Sequence, residues 1–354
     1  MRSRYVMLAA IAAMISASSA HAEGLKKVGE ITIPGETITD IGIMAIDQAS
    51  GLGYLADKTN KGVVVFDTKT NKFVTRISGF IGRLKDGDAS GPNGVVVVKD
   101  GDEVWVSDGD STIKVIDIKT NTITRTLNTG GKKRANGMAL GGPINTVIVA
   151  NSNDAPPYLS FISTDAGNEI IGKVLIPESA ENLERSAYHA PSGMFYTAIP
   201  VSSVDESKGL LAQTDPKSGK MVKLHELPCH PHSLSIVSDT TIFLGCSNAH
   251  GANKKPGGDM AIFDIPSAKV VGSLKDYGGN GGSTANPGVG QYYHSTSGGI
   301  LMVVDTKTKQ GLQQIKTSRG ARSAAVHQAT GRLYIAVTDK NQPCPGCIAI
   351  YGRN

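Results

Sequence analysis

The chain has 354 residues, a formal net charge of +5, 40% hydrophobic residues and 42 glycines. A charge this small for the length excludes the broad electrostatic footprint of a nucleic-acid binder, and no segment reaches the roughly 20 apolar residues that span a bilayer as a helix. Aromatics are few, and Val, Ile and Thr gather in short runs broken by Asp, Asn, Gly and Lys, the composition of an all-β protein.

At the N-terminus Arg2 and Arg4 precede an apolar run from Tyr5 to Ile15, and small residues then lead to Ala20-His21-Ala22. Charged, apolar and small-residue regions in that order predict a secretory signal peptide over 1–22 with an A-x-A cleavage site. The mature chain, 23–354, is expected to be a single periplasmic domain without a membrane span. Val28-Gly-Glu-Ile-Thr-Ile-Pro34 follows as a strand with no hairpin of its own.

From there the sequence repeats. Tyr54-Leu-Ala-Asp57 and Val63-Val-Val-Phe-Asp67 form a strand, polar turn and second strand, and Lys69-Thr-Asn leads into a third. Val104-Trp-Val-Ser-Asp108 and Thr112-Ile-Lys-Val-Ile-Asp117, with Lys119-Thr-Asn, repeat the pattern. Degenerate copies of the strand-ending marker lie at Ser163, Asp215, Asp264 and Asp305, at steps of roughly 41–52 residues, the length of one four-stranded blade. The marker Asp is suited to accept backbone N–H groups of the turn after it.

A short strand precedes each hairpin: Gly94–Val98, Gly137–Leu140, Ser186–His189, Ser233–Ile236 and Ser323–Val326, with a first near Gly42–Asp47 and a weakly patterned one near Gly282–Gly290. Their small residues suit the crowded axis of a β-propeller. Seven blades are expected, or six if the 282–290 unit is an insertion. The seventh unit supplies Arg332–Val337 and Cys347–Tyr351 but no outer strand, so the strand at Val28–Pro34 is expected to complete it and remove the open edge.

Leu55-Ala-Asp with Val65-Phe-Asp-Thr-Lys-Thr-Asn, and Leu333-Tyr-Ile-Ala-Val-Thr after Ala329-Thr-Gly331, resemble the YVTN-repeat, or YncE-like, periplasmic seven-bladed β-propellers. The resemblance covers nearly all of 23–354 and implies the fold rather than one activity, because such propellers serve as ligand-binding, partner-binding and occasionally enzymatic scaffolds. Blades four and five depart from the pattern with longer loops, Val201–Lys208 and Ser247–Gly258.

Antiparallel strands return the chain to one side, so those loops and the starts of the inner strands share a face, the channel mouth. It collects Asp40, Asn93, Asn136, Arg185, His232 and Arg322 as candidate ligand-binding residues, with Asp57, Asp108, Asn151 and Cys246 close behind. Such oxygens and nitrogens could hold a divalent metal ion, or they could satisfy backbone groups around a water-filled channel. Pro228-Cys-His-Pro-His232 with Cys246 and His250 is the densest constellation. A disulfide between Cys229 and Cys246 is expected in an oxidising compartment, the alternative being a soft-metal site that adds His230, His232 or His250. Cys344-Pro-Gly-Cys347 reads as a turn disulfide, a redox pair or half a zinc site.

No G-x-S-x-G elbow, H-E-x-x-H pair or P-loop occurs, and Gly278–Thr284 is expected to be a flexible loop. Two functions remain open. One is a scaffold that binds a small molecule or a protein at the channel mouth. The other is a metal-assisted hydrolase, lactonase or lyase, with Asn93, Asn136 and His232 as ligands, Arg322 polarising a substrate oxygen and Glu184 as base. A self-closing ring makes a monomer the expected state.

Overall fold

The computed structural model describes residues 24–165, 167–248 and 257–353. The predicted signal peptide, His250 and most of the 247–258 loop lie outside the described residues.

Seven antiparallel four-stranded sheets account for nearly all the regular structure. Their innermost strands are Ile41–Ile46, Val95–Val98, Met138–Gly141, Ser186–His189, His230–Ser238, Gly281–Asn286 and Ala324–His327. Each contacts the next and the last contacts the first, which makes a closed ring of seven blades. The 282–290 unit is therefore a true sixth blade. The flexible loop expected at Gly278–Thr284 is corrected in its second half, because Gly281–Thr284 lies in that blade's inner strand.

Blade seven is completed by Lys26–Ile31, which pairs antiparallel with Ile348–Gly352 from Lys26↔Gly352 to Ile31↔Ile348. An outer strand from one end of the sequence thus closes a blade begun by the other, and Ile348–Gly352 is paired on both sides.

The turn chemistry follows the repeat. The Asp67 carboxylate accepts the Lys69 amide at 2.7 Å, Asp117 that of Thr120 at 2.8 Å, Asp215 that of Lys217 at 2.9 Å and Asp305 that of Lys307 at 2.9 Å. Asn71 and Asn121 then adopt positive φ of 54° and 53°, a conformation Asn tolerates better than most residues.

Each blade is covered on both faces, so its middle strands are continuously apolar. Val64 and Phe66 pack toward blade seven while Val63 and Val65 pack toward blade two, all four fully buried. One such hydrophobic cluster fills every interface between neighbouring blades around the ring. Among the described residues no helix is long and apolar enough to cross a membrane.

Candidate functional site

The inner strands begin at one end of the channel, and the backbone there is clamped to the second strand of its own blade. Asn93, Asn136 and Glu184 occupy equivalent places in blades two, three and four, their amides donating to the carbonyls of Ser107, Ala150 and Ala198 at 2.8, 2.8 and 2.9 Å. Glycine follows the two asparagines because the next blade leaves no room for more: a Cβ on Gly94 would lie 2.6 Å from the Asn136 carbonyl oxygen, and one on Gly137 2.8 Å from that of Glu184. The asparagine side chains extend the clamp. Asn93 Nδ2 donates to the Ser90 and Ala135 carbonyls, both at 2.9 Å, and Asn136 Nδ2 to Ser152 Oγ at 3.3 Å and the Leu183 carbonyl at 3.4 Å.

Over this clamp lies a cavity of about 190 Å³. Four cationic side chains line it, Lys58, Arg134, Arg185 and Arg322, together with the carboxylate Glu184. Arg322 is held by Asp40 Oδ1 at 3.1 Å and the Ile41 carbonyl at 2.8 Å. Arg134 donates to Asn153 Oδ1 and the Gly87 carbonyl, both at 3.0 Å. Arg185 lies against Gly282, where a Cβ would come within 2.9 Å of its Nη2. A glycine-rich inner strand in blade six is thus what makes room for a guanidinium.

Lys58 is the outlier. It is only 5% exposed, yet among the described residues no side chain or carbonyl accepts a hydrogen bond from its ammonium and no carboxylate pairs with it. Burial, reinforced by the Arg322 charge and opposed by Asp40, lowers its pKa to about 8. Burial likewise draws Arg185 down to about 10, with Glu184 opposing. Burial pushes Glu184 upward, but His232, Arg185 and Arg134 outweigh it and hold the carboxyl below the ordinary range. His232 stands buried beside Glu184, its Nδ1 3.6 Å from Oε1.

The expected residues therefore divide. Asn93, Asn136, Glu184, Arg185 and Arg322 line the cavity, with Asp40 and His232 each touching one of them. Asp57, Asp108 and Asn151 are fully buried and occupied by structural partners: Asp57 by Asn60 and Arg76, Asp108 by Gly109 and Lys114, Asn151 by Thr129 and Ser160. His230 bonds the Pro200 carbonyl through Nδ1 at 2.8 Å. Cys229 is bonded to Cys246 and Cys344 to Cys347. The disulfide readings account for all four cysteines, and no thiolate remains for the soft-metal site. Among the described His, Cys, Asp and Glu residues only Glu30, Cys344 and Cys347 have metal-like spacing, and both sulfurs there are oxidised. The mouth does not fit a divalent cation, since four positive heads face it against Glu184 and the rim carboxylate Asp40.

Sequence reading missed Lys58 and Arg134. The signal was present: the residue after the second strand's terminal Asp or Asn is Gly109 in blade two and Ser152 in blade three, but Lys in blade one.

No protein-family model matches the sequence, and no curated protein does. Solved structures do. A chain of Kuenenia stuttgartiensis hydrazine synthase is 13% identical with a TM-score of 0.72, the match covering 91% of this chain and 97% of that one. A chain from the crystal structure of the mitotic checkpoint complex is 10% identical with a TM-score of 0.69, covering 100% and 99%. At such identities the likeness establishes the fold alone, and with the seven-bladed ring it makes this chain a seven-bladed β-propeller.

Proposed function

We propose that the channel mouth binds a small anionic ligand carrying carboxylate or phosphate groups. The observation that carries this reading is Lys58, a lysine only 5% exposed whose ammonium has no direct partner, placed in one small cavity with three guanidiniums. Burying an unpaired charge is unfavourable unless something supplies the missing counter-charge. Arginine offers fork-shaped donors that match carboxylate and phosphate oxygens in pairs. A cavity of about 190 Å³ suits a metabolite rather than a protein segment.

This reading sharpens the binding-scaffold function and sets it above metal-assisted hydrolysis, because the same charges that attract an anion repel a divalent ion. Two disulfides and the signal-like N-terminus support an oxidising compartment such as the periplasm. The ring, closed on itself by the pairing of its two chain ends, supports a monomer.

The test is calorimetric titration at pH 7 with inorganic phosphate, glutarate and citrate. At least one should bind, and Lys58→Met should weaken it by tenfold or more, about 1.4 kcal/mol. Absence of binding by all three would sink the proposal.

A further inference from the structure

We infer that Lys58 is a carbonyl-reactive lysine, which forms a protonated imine with a 2-oxo acid whose carboxylate is held by the surrounding guanidiniums. The inference rests on the anion-binding reading and names the chemistry of the same site.

The geometry carries it in three steps. First, an amine must be free to attack. Lys114, the other lysine of comparable burial, is engaged by Asp108, Asp110 and Thr112, whereas the Lys58 ammonium has no such partner among the described residues. Second, it must be neutral part of the time. Desolvation beside Arg322 and Arg134 favours the uncharged amine, the same means by which other reactive lysines are activated. A pKa near 8 in place of 10.5 raises the amine fraction at neutral pH on the order of a hundredfold. Third, the substrate must be oriented. Arg322 is fixed by Asp40 and the Ile41 carbonyl, and Arg185 is seated against Gly282, so both can hold a carboxylate without first being ordered.

The step balances without an oxidant or reductant. The Lys58 ammonium gives up a proton to cavity water, and its lone pair attacks the carbonyl carbon to form the C–N bond of a carbinolamine. Reprotonation of the hydroxyl and loss of water leave the protonated imine, so ammonium plus ketone becomes iminium plus water. Its positive charge stays where the ammonium stood, beside the bound carboxylate and Glu184.

The experiment incubates the full chain with 2-oxoglutarate and sodium cyanoborohydride, maps any reduced adduct by peptide mass spectrometry, and separately titrates glutarate, which lacks the carbonyl. The expected result is one adduct on Lys58, reduced at least tenfold by excess glutarate and missing from Lys58→Arg. Protection by glutarate in the unaltered chain keeps the test decisive if the variant folds poorly. Glutarate binding without an adduct on Lys58 would overturn the inference and leave the anion site standing. Adducts spread over surface lysines, with no protection by glutarate, would also overturn it. No labelling and no glutarate binding would overturn the inference, and the anion site would then fall too if phosphate and citrate also fail to bind.

Discussion

Two lysines of nearly equal burial show how this molecule separates structure from site. Lys114, in the third strand of blade two, is 8% exposed and reaches Asp110 at 2.8 Å, Thr112 at 2.7 Å and Asp108 at 3.6 Å. Lys58, at the channel mouth, is 5% exposed and reaches none of the carboxylates near it. The first charge is matched within its own blade. The second is left unmatched where several blades converge, so folding places it in an environment that favours its neutral form. Burial alone does not mark function; burial without a counter-charge does.

The comparison breaks most easily at Lys114. Lys114→Met leaves the fully buried Asp108 without its cation, and removing one partner of a buried pair costs roughly 3–5 kcal/mol. Urea unfolding followed by circular dichroism should show a much lower midpoint, and an unchanged midpoint would mean that the pair contributes nothing.

Lys58→Met should do the reverse, stabilising the protein at pH 7 by roughly 3 kcal/mol while weakening anion binding. Unfolded, this lysine titrates near its ordinary value of 10.5; folded, near 8. Between those values the unfolded chain binds the extra proton, so stability rises with pH across that window. The advantage of the variant should shrink from about pH 8 upward and vanish near pH 10.5. A difference between the two proteins that stays constant over that range would contradict the assignment.

A buried group elsewhere in the ring sharpens the contrast with a neutral side chain. His294, fully buried between blades five and six, bonds Ser233 Oγ at 3.2 Å and the Gly279 carbonyl at 3.1 Å. Burial lowers its pKa to about 4. The unfolded chain takes up a proton near 6.5 and the folded one only near 4, so stability is lost as pH falls through that window, by up to about 3 kcal/mol. Melting temperatures from pH 7 to 4 should drop more steeply for the natural chain than for His294→Gln.

The smallest effect belongs to Glu184→Gln. It removes the one carboxylate that lines the cavity and should tighten phosphate or glutarate binding by about threefold, an effect of the size seen for partly screened charge pairs. Weaker binding would instead show that Glu184 orients Arg185 or His232 for the ligand.

Much of this was legible before folding was considered. The Asp67 and Asp117 turns, the inner strands after Asn93 and Asn136, the closing strand and the Cys229–Cys246 bridge are local or pairwise features, written in spacing and residue type. The blade-six inner strand was hard to read because its glycines answer to neighbours: Gly282 yields space to Arg185 and to the Arg322 carbonyl, contacts no hydrophobic period encodes.

The sequence by itself determined the blade repeat, written in patterns within a few dozen residues, the ring closure, written as a lone strand at one end and a missing strand at the other, and part of the polar lining at one end of the channel, without Lys58 and Arg134. Tertiary structure alone decided which of those residues are spent and which are available. Asn93 and Asn136 became blade-joining struts, Asp57 and Asp108 became buried partners, and Lys58 became a charge without a match. The reason is physical: whether a buried charge is satisfied depends on distances across blades, and the sequence fixes those only by folding.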